Sequence, residues 1–277
     1  MKHVRPLLVL TVIATLALAA ASPVRAEDPA EAQSPAVTPV GVTIDVGVAS
    51  AYNFRGLNVF GIDQFDQHVV FSPSLSYAIL DTGLTIGYWG AYQVNGKNLS
   101  ANVANGVGHE QDIYLSYDIA WLEDTLALNA TLTAFLYPFA TKAGAGVRCP
   151  AYIEPSVKLS YATVLDLSLQ VAYFAGLQDA VKDYRYLYIR PYISKSFAIG
   201  TRLTQTLGVG YGFKLYNDRD VMTDNVHDIA FDIALAITAA EGFTVTPAIR
   251  GGWTDKDGIP IGSEYFFLGS LNLNYAF

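Results

Sequence analysis

Cysteine is almost absent from this chain of 277 residues: Cys149 stands alone, so no internal disulfide can form. Charge is scarce as well. Asp, Glu, Lys and Arg make up 15% of the residues against 52% hydrophobic, and the formal net charge is -8. So acidic a chain is a poor partner for nucleic acid. Histidine is sparse too, with only His68, His109 and His227 beyond the first 26 residues. Nor is there any long apolar run in that region, which leaves no helical membrane span.

What apolar continuity exists lies at the start. Lys2 and Arg5 precede the run Leu7 to Ala21, and Val24-Arg25-Ala26 offers small residues for cleavage. Residues 1–26 read as a secretory signal peptide cut after Ala26, since the apolar core is shorter than the roughly 18 to 20 residues a spanning helix needs. No Cys sits at the cleavage position, which argues against a lipid anchor. Loss of Lys2, Arg5 and Arg25 with the signal makes the mature chain more acidic. Residues 27–40, rich in Pro, Ala and acid, read as a disordered periplasmic tail, and residues 41–277 as one domain.

In that domain apolar residues are diluted by alternation. Tyr265, Phe267, Gly269, Leu271, Leu273, Tyr275 and Phe277 take every second place, the pattern of a strand with one apolar and one wetter face. The same period recurs through the chain. Val42, Ile44, Val46, Val48, Tyr52 and Phe54 predict a first outer face, followed by Val69 to Tyr77, Leu84 to Tyr92 and Asp112 to Ile119. Then come Leu126–Leu136, Tyr152–Tyr161, Leu167–Tyr173, Tyr186–Lys195, Thr201–Tyr211, Asp228–Ile237, Phe243–Trp253 and the last strand. Only helices and closed barrels satisfy every backbone group in lipid. The expected fold class is therefore all-β: a transmembrane antiparallel up-and-down β-barrel of about twelve strands, an even number with both ends in the periplasm. Short connections near Asp81, Glu123, Thr163, Ala198 and Glu241 alternate with long ones, including Gly56–Gln67, Val94–His109 and Gly212–His227.

Proline falls on the apolar parity of four strands, at Pro73, Pro155, Pro191 and Pro247. Because it cannot donate to a ladder, each is expected to sit at a bulge or register break. Tyr52, Tyr88, Tyr161, Tyr211, Trp253 and Tyr275 are expected in interfacial belts.

With the strands placed, two motifs stand out: Ser50-Ala51-Tyr52-Asn53-Phe54-Arg55-Gly56 and Glu110-Gln111-Asp112-Ile113-Tyr114-Leu115-Ser116-Tyr117. Over about Val42 to Ile119 the chain resembles the TorF-like porin family of Gram-negative bacteria. The resemblance implies an outer-membrane barrel proposed to be a porin, with no catalytic residues to carry over. The final strand, with Leu273, Tyr275 and the terminal Phe277, resembles the signal read by the barrel assembly machinery. Outer-membrane lipids and that machinery are thus the expected partners.

If the apolar parity faces lipid, the other parity lines the lumen. It carries Asp45, Arg55, Asp112, Asp118, Glu154, Lys158, Arg190, Arg202, Asp228, Asp232, Arg250 and Glu264, interleaved with small residues such as Ala49, Ser72, Ser74, Gly208, Gly210 and Ala234. Isolated charge in low dielectric is costly unless paired or hydrated. The lining is therefore either a wet channel passing small polar solutes or a lattice in which Arg190, Arg202 and Arg250 pair with Glu154, Asp228 and Asp232. Arg55 reads either as a constriction residue or as a strand-end charge in the wet rim, and the rim is the expected place. No catalytic, cofactor or metal site is expected: His227-Asp228 with Asp224 is the best cluster, and neighbours on a strand point to opposite faces. Asn217–Asp220 and Asp255–Gly258 read as turns, without the spacing of a calcium loop. Gly208 to Gly212 reads as an aid to strand bending.

Overall fold

Alternation of this regularity can bury only one face of each strand, and a sheet so built hides its edges by closing on itself. The computed structural model describes residues 41–122, 125–216, 226–255 and 263–277. The expected signal peptide and tail lie outside the described residues, as do Asp224, the Asn217–Asp220 turn and most of the Asp255–Gly258 turn. Strand β1 (Val42–Ala49) leads into a small hairpin of β2 (Asn53–Phe54) and β3 (Leu57–Asn58). Then follow β4 (Val70–Ile79), β5 (Leu84–Gln93), β6 (His109–Trp121), β7 (Leu126–Leu136), β8 (Ala151–Ala162) and β9 (Asp166–Gly176). The wall is completed by β10 (Arg185–Ile199), β11 (Leu203–Tyr216), β12 (Val226–Ala240), β13 (Phe243–Thr254) and β14 (Tyr265–Ala276). Twelve of these, all but β2 and β3, form a closed barrel in which each strand pairs antiparallel with its chain neighbours. β1 closes it by pairing with both β14 and β4. Short helices α1 (Leu99–Asn105) and α2 (Lys142–Ala145) decorate two long loops.

The outer parity is apolar and exposed, as at Ile44, Val48, Leu75, Ile86, Ile113, Leu115, Leu132, Ile233 and Leu271. Leu273, Tyr275 and Phe277 lie on it at the short-turn end. The four prolines sit mid-strand without the expected bulges. Pairing runs Phe71↔Tyr92 then Ser74↔Trp89, and Ile189↔Phe213 then Tyr192↔Gly210, with the register unchanged across each gap. The same holds at Pro155 and Pro247. Each proline keeps one neighbouring strand fully paired, as in Pro73↔Val46 and Pro191↔Leu169, so the wall loses rungs on one side only.

Two expectations fail at the long-loop end. The first strand does not continue through Tyr52 and Phe54: β1 stops at Ala49, and residues 50–69 turn into the barrel. Ser50 marks the turn, its backbone N–H donating to Gly269 O at 2.8 Å and its carbonyl accepting from His68 N at 2.8 Å. Tyr52 therefore belongs to no outer belt. Strand β11 runs on to Tyr216, which places Gly212 and Lys214 on the wall rather than in a loop.

Gly208 and Gly210 do something other than bend the strand. A Cβ at Gly208 would meet the Tyr192 hydroxyl at 1.9 Å, and one at Gly210 the Arg190 Nε at 2.7 Å. Their bare backbone lets two large inward side chains of β10 lie across β11.

Candidate functional site

The residues that enter the lumen come from the loop 50–69, and its sequence explains its path. Arg55 (φ 52) and Gly56 (φ 81) both occupy the left-handed region, so the chain reverses tightly between β2 and β3. Gln64 braces the hairpin from within, accepting from Asn58 N at 2.8 Å and donating to Gly56 O. Asp66, buried, accepts from Ile62 N at 3.1 Å and pairs with Lys97 at 3.3 Å. His68 takes the Tyr52 N–H on Nε2 at 3.2 Å.

Each side chain of the loop then meets a different part of the wall. The Tyr52 hydroxyl donates to Glu110 of β6 at 2.8 Å, and its ring lies 5.6 Å from Trp89 of β5. Tyr137 donates to the other oxygen of Glu110. Phe54 packs edge-on to Phe135 of β7 at 5.8 Å and against Phe174 of β9 at 6.4 Å. Arg55 pairs with Glu154 of β8 at 2.5 Å, both side chains 7% exposed, and donates to the Tyr186 hydroxyl of β10 at 3.0 Å. Its guanidinium stands 4.4 Å from the Tyr188 ring centre and 4.6 Å from that of Phe54. The Gly56 carbonyl accepts from Thr254 Oγ1 of β13 at 2.7 Å. The loop thus leaves the wall at β1 and docks on β6 to β13, crossing the lumen below the long-loop mouth.

The charges expected on the inner wall divide into groups around this strap. Arg55 and Glu154 are part of it, so Arg55 is buried within the lumen and not a rim charge. Asp112 and Asp228 are buried beside it, the latter 3.3 Å from the Tyr188 hydroxyl. Nearer the short turns, Arg250 donates to Asp232 at 2.5 Å with Arg190 at 3.9 Å from the same carboxylate. Asp45 accepts from Asn274 at 2.6 Å and Asp118 from Asn129 at 2.8 Å, while Lys158 is open to solvent. Two residues are not on the wall at all. Arg202 lies exposed in the turn between β10 and β11. Glu264 precedes β14 and accepts from the outward-facing Trp253 indole at 2.8 Å. The lattice expected from the sequence forms in part: Arg190 and Arg250 both pair with Asp232, whereas Glu154 belongs to Arg55 and Arg202 lies off the wall.

Glu110 and Lys214, both 2% exposed, were missed. Glu110 stood two places before Asp112 in a motif already singled out and on the same parity. Lys214 continued the inward parity of Gly208, Gly210 and Gly212. The histidines do not converge. His68 is in the strap, His109 packs on Tyr92 and Phe139, and His227 faces outward against Tyr211 while Asp228 faces the lumen. Among the described residues no group of three metal-ligating side chains occurs.

Burial holds the His68 imidazole below the usual histidine range against the opposing pull of Asp66. Neutral His68 therefore contributes stability that is present above the unfolded value of about 6.5 and is lost as pH falls below it. Acidification from pH 7.5 to 5 is expected to loosen the strap and raise single-channel current. His68→Gln, which keeps an acceptor for Tyr52 N–H, should make that current independent of pH over the same range.

The model of a bacterial family described as "Bacterial protein of unknown function (Gcw_chp)" matches residues 31–262. The chain belongs to the Gcw_chp family. Comparison with curated proteins by sequence finds no match. Among solved structures, this Gcw_chp barrel is similar to the KdgM porin, with a TM-score of 0.51 and 8% identity over 85% of this chain and 99% of that one. It is equally similar to the KdgM porin in complex with disordered oligogalacturonate, at a TM-score of 0.52 and 8% identity over the same shares. An outer membrane channel from Pseudomonas putida F1 aligns with a TM-score of 0.50 and 11% identity, over 91% of this chain and all of that one. At these identities the likeness is one of fold: the Gcw_chp chain shares a closed antiparallel β-barrel with these proteins.

Proposed function

We propose that this protein is an outer-membrane channel for passive diffusion of small polar solutes, in the manner implied by its resemblance to the TorF-like porin family, with the strap 50–69 as its constriction. The observation that carries this reading is a closed twelve-strand wall whose inner parity carries exposed charge beneath the strap. Lys158 and Asp118 are open to solvent, and Ser196 and Thr206 bond to each other at 2.9 Å in that stretch. A lumen plugged by its own side chains would leave these groups paired and buried. The apolar outer parity supports residence in the bilayer, and no step calls for a cofactor, an energy source or a catalytic group.

A second reading rests on the strap itself: a barrel crossed by a buried ion pair is closed at rest and acts through its surface loops. Planar-bilayer recording of the refolded mature chain under a salt gradient separates the two. Discrete steps that scale with salt are expected, and replacement of residues 53–66 by a short Gly-Ser linker should raise the step size several-fold. Silence from both chains, with the barrel folded, would overturn the channel.

A further inference from the structure

Between the strap and the wall lies a cavity of about 460 Å³ opening toward the long loops, within the size range of small-molecule sites. We infer that it is a binding site for small aromatic carboxylates, the ring held by aromatic edges and the carboxylate by Lys214. The inference rests on the barrel described above and deepens the channel reading by naming a solute class.

Aromatic side chains dominate its wall. Tyr152, Phe174 and Tyr186, from three successive strands, stack on one another with centroids 4.9 and 5.2 Å apart and planes within 22° and 19°. Stacked so, the middle ring, Phe174, has both faces covered by its neighbours and only its edge left for a ligand. A ring edge is the positive part of its quadrupole. Tyr184 stands edge-on to Phe174, at 85°, and Phe54 and Phe135 complete the enclosure. Such a lining disfavours a ligand that seeks ring faces, as a neutral sugar does, and favours one that presents its own π-face to the edges.

The charges in the wall choose the ligand's polar group. Glu110 lines the cavity, but its two oxygens are already held by Tyr52 and Tyr137. Asp63 accepts the Phe65 N–H within its own turn at 2.8 Å. Arg55 is committed to Glu154. Lys214 alone lines the cavity with no carboxylate in ion-pair range among the described residues, its Nζ 5.9 Å from the Tyr186 ring centre. Asp228, buried on the neighbouring strand, is the carboxylate whose charge acts on Lys214, but it lies beyond ion-pair distance and accepts from the Tyr188 hydroxyl, so the buried ammonium still lacks the direct partner that its desolvation calls for. A carboxylate on a planar ring, about the size of benzoate, supplies it.

The test is calorimetric titration of the refolded mature chain in detergent with benzoate, benzamide and cyclohexanecarboxylate. Saturable binding of benzoate is expected, with the uncharged and the non-aromatic compounds each about tenfold weaker or worse. In Lys214→Met, checked for the heat-modifiable mobility of a folded barrel, benzoate should fall to the level of benzamide. Equal binding of the three compounds, no saturation by benzoate, or an unchanged affinity in folded Lys214→Met would overturn the site. Should Lys214→Met not fold, the three compounds on the unmutated chain decide alone. Benzoate binding by a barrel that is silent in bilayers would retire the channel and keep the site, whereas conductance without binding would do the reverse.

Discussion

Arg55→Ala is expected to free the strap from the wall, at a cost of about 3–5 kcal/mol, the usual penalty for breaking a buried ion pair by removing one partner. The two side chains are each 7% exposed and 2.5 Å apart, so the discount that applies to surface pairs does not apply here. What remains in the variant is the Glu154 carboxylate, buried close to Asp112, whose Oδ1 already lacks a hydrogen-bond partner. Arg55→Lys should restore little. The guanidinium is a plate among the rings of Phe54, Tyr186 and Tyr188, and a lysine offers neither that flat contact nor the rigid fork that reaches Glu154 and Tyr186 from separate nitrogens. Removing both charges is a different matter: Arg55→Met with Glu154→Leu is expected to regain most of the stability, because neither charge is left alone. Urea unfolding in lipid or detergent micelles checks all four chains. A loss below about 1 kcal/mol for Arg55→Ala, as for an exposed pair, would mean that the pair does not hold the strap.

The wall was legible in the sequence, and the strap was not. Period-two alternation fixes which face of a strand is apolar whatever its neighbours are, so Leu126–Leu136 and the final strand emerge with their observed bounds to within a residue. Ends are harder. Lys214 was lost because the predicted strand stopped at Tyr211, although the alternation of Phe213 and Leu215 with Gly212 and Lys214 continues it. The prolines misled in the opposite direction: a missing donor on one edge does not require a register shift when the other edge is intact.

The strap escaped for a physical reason. Tyr52 and Phe54 alternate with Asn53 and Arg55 in phase with β1, and an aromatic side chain buried inside a lumen leaves the same trace as one facing lipid. The signal that was available is Ser50, a polar residue where the apolar parity demanded a large one, followed by the turn residues Asn53 and Gly56. A break of parity next to a glycine marks a change of direction. Arg55 likewise gave no sign of burial, since its partner Glu154 lies on a strand three hairpins away in the chain and only closure of the barrel brings them together.

That glycine carries the other large effect. Gly56 has φ 81, and a Cβ there would lie 2.3 Å from Thr254 Oγ1 and 2.7 Å from Asp228 Cβ, so both backbone and space reject a side chain. Gly56→Val meets the left-handed penalty of about 1–2 kcal/mol and cannot keep the Thr254 hydroxyl on its carbonyl, a bond worth roughly 1 kcal/mol. Since the tip of the strap cannot occupy its seat on β12 and β13, it should leave the lumen while the twelve-strand ladder, which does not include it, stays closed. The expected result is a folded barrel with single-channel current raised several-fold, approaching that of the chain whose residues 53–66 are replaced by a linker. Thr254→Val, which loses the bond but not the space, should move the current far less. Because Arg55 and Gly56 seat one loop, the increases from Arg55→Ala and Gly56→Val should not add: once the strap is out, the second change has nothing left to release. Wild-type current in folded Gly56→Val would show that the narrowest point of the barrel lies elsewhere, and would move attention to Arg190, Asp232 and Arg250 lower in the lumen.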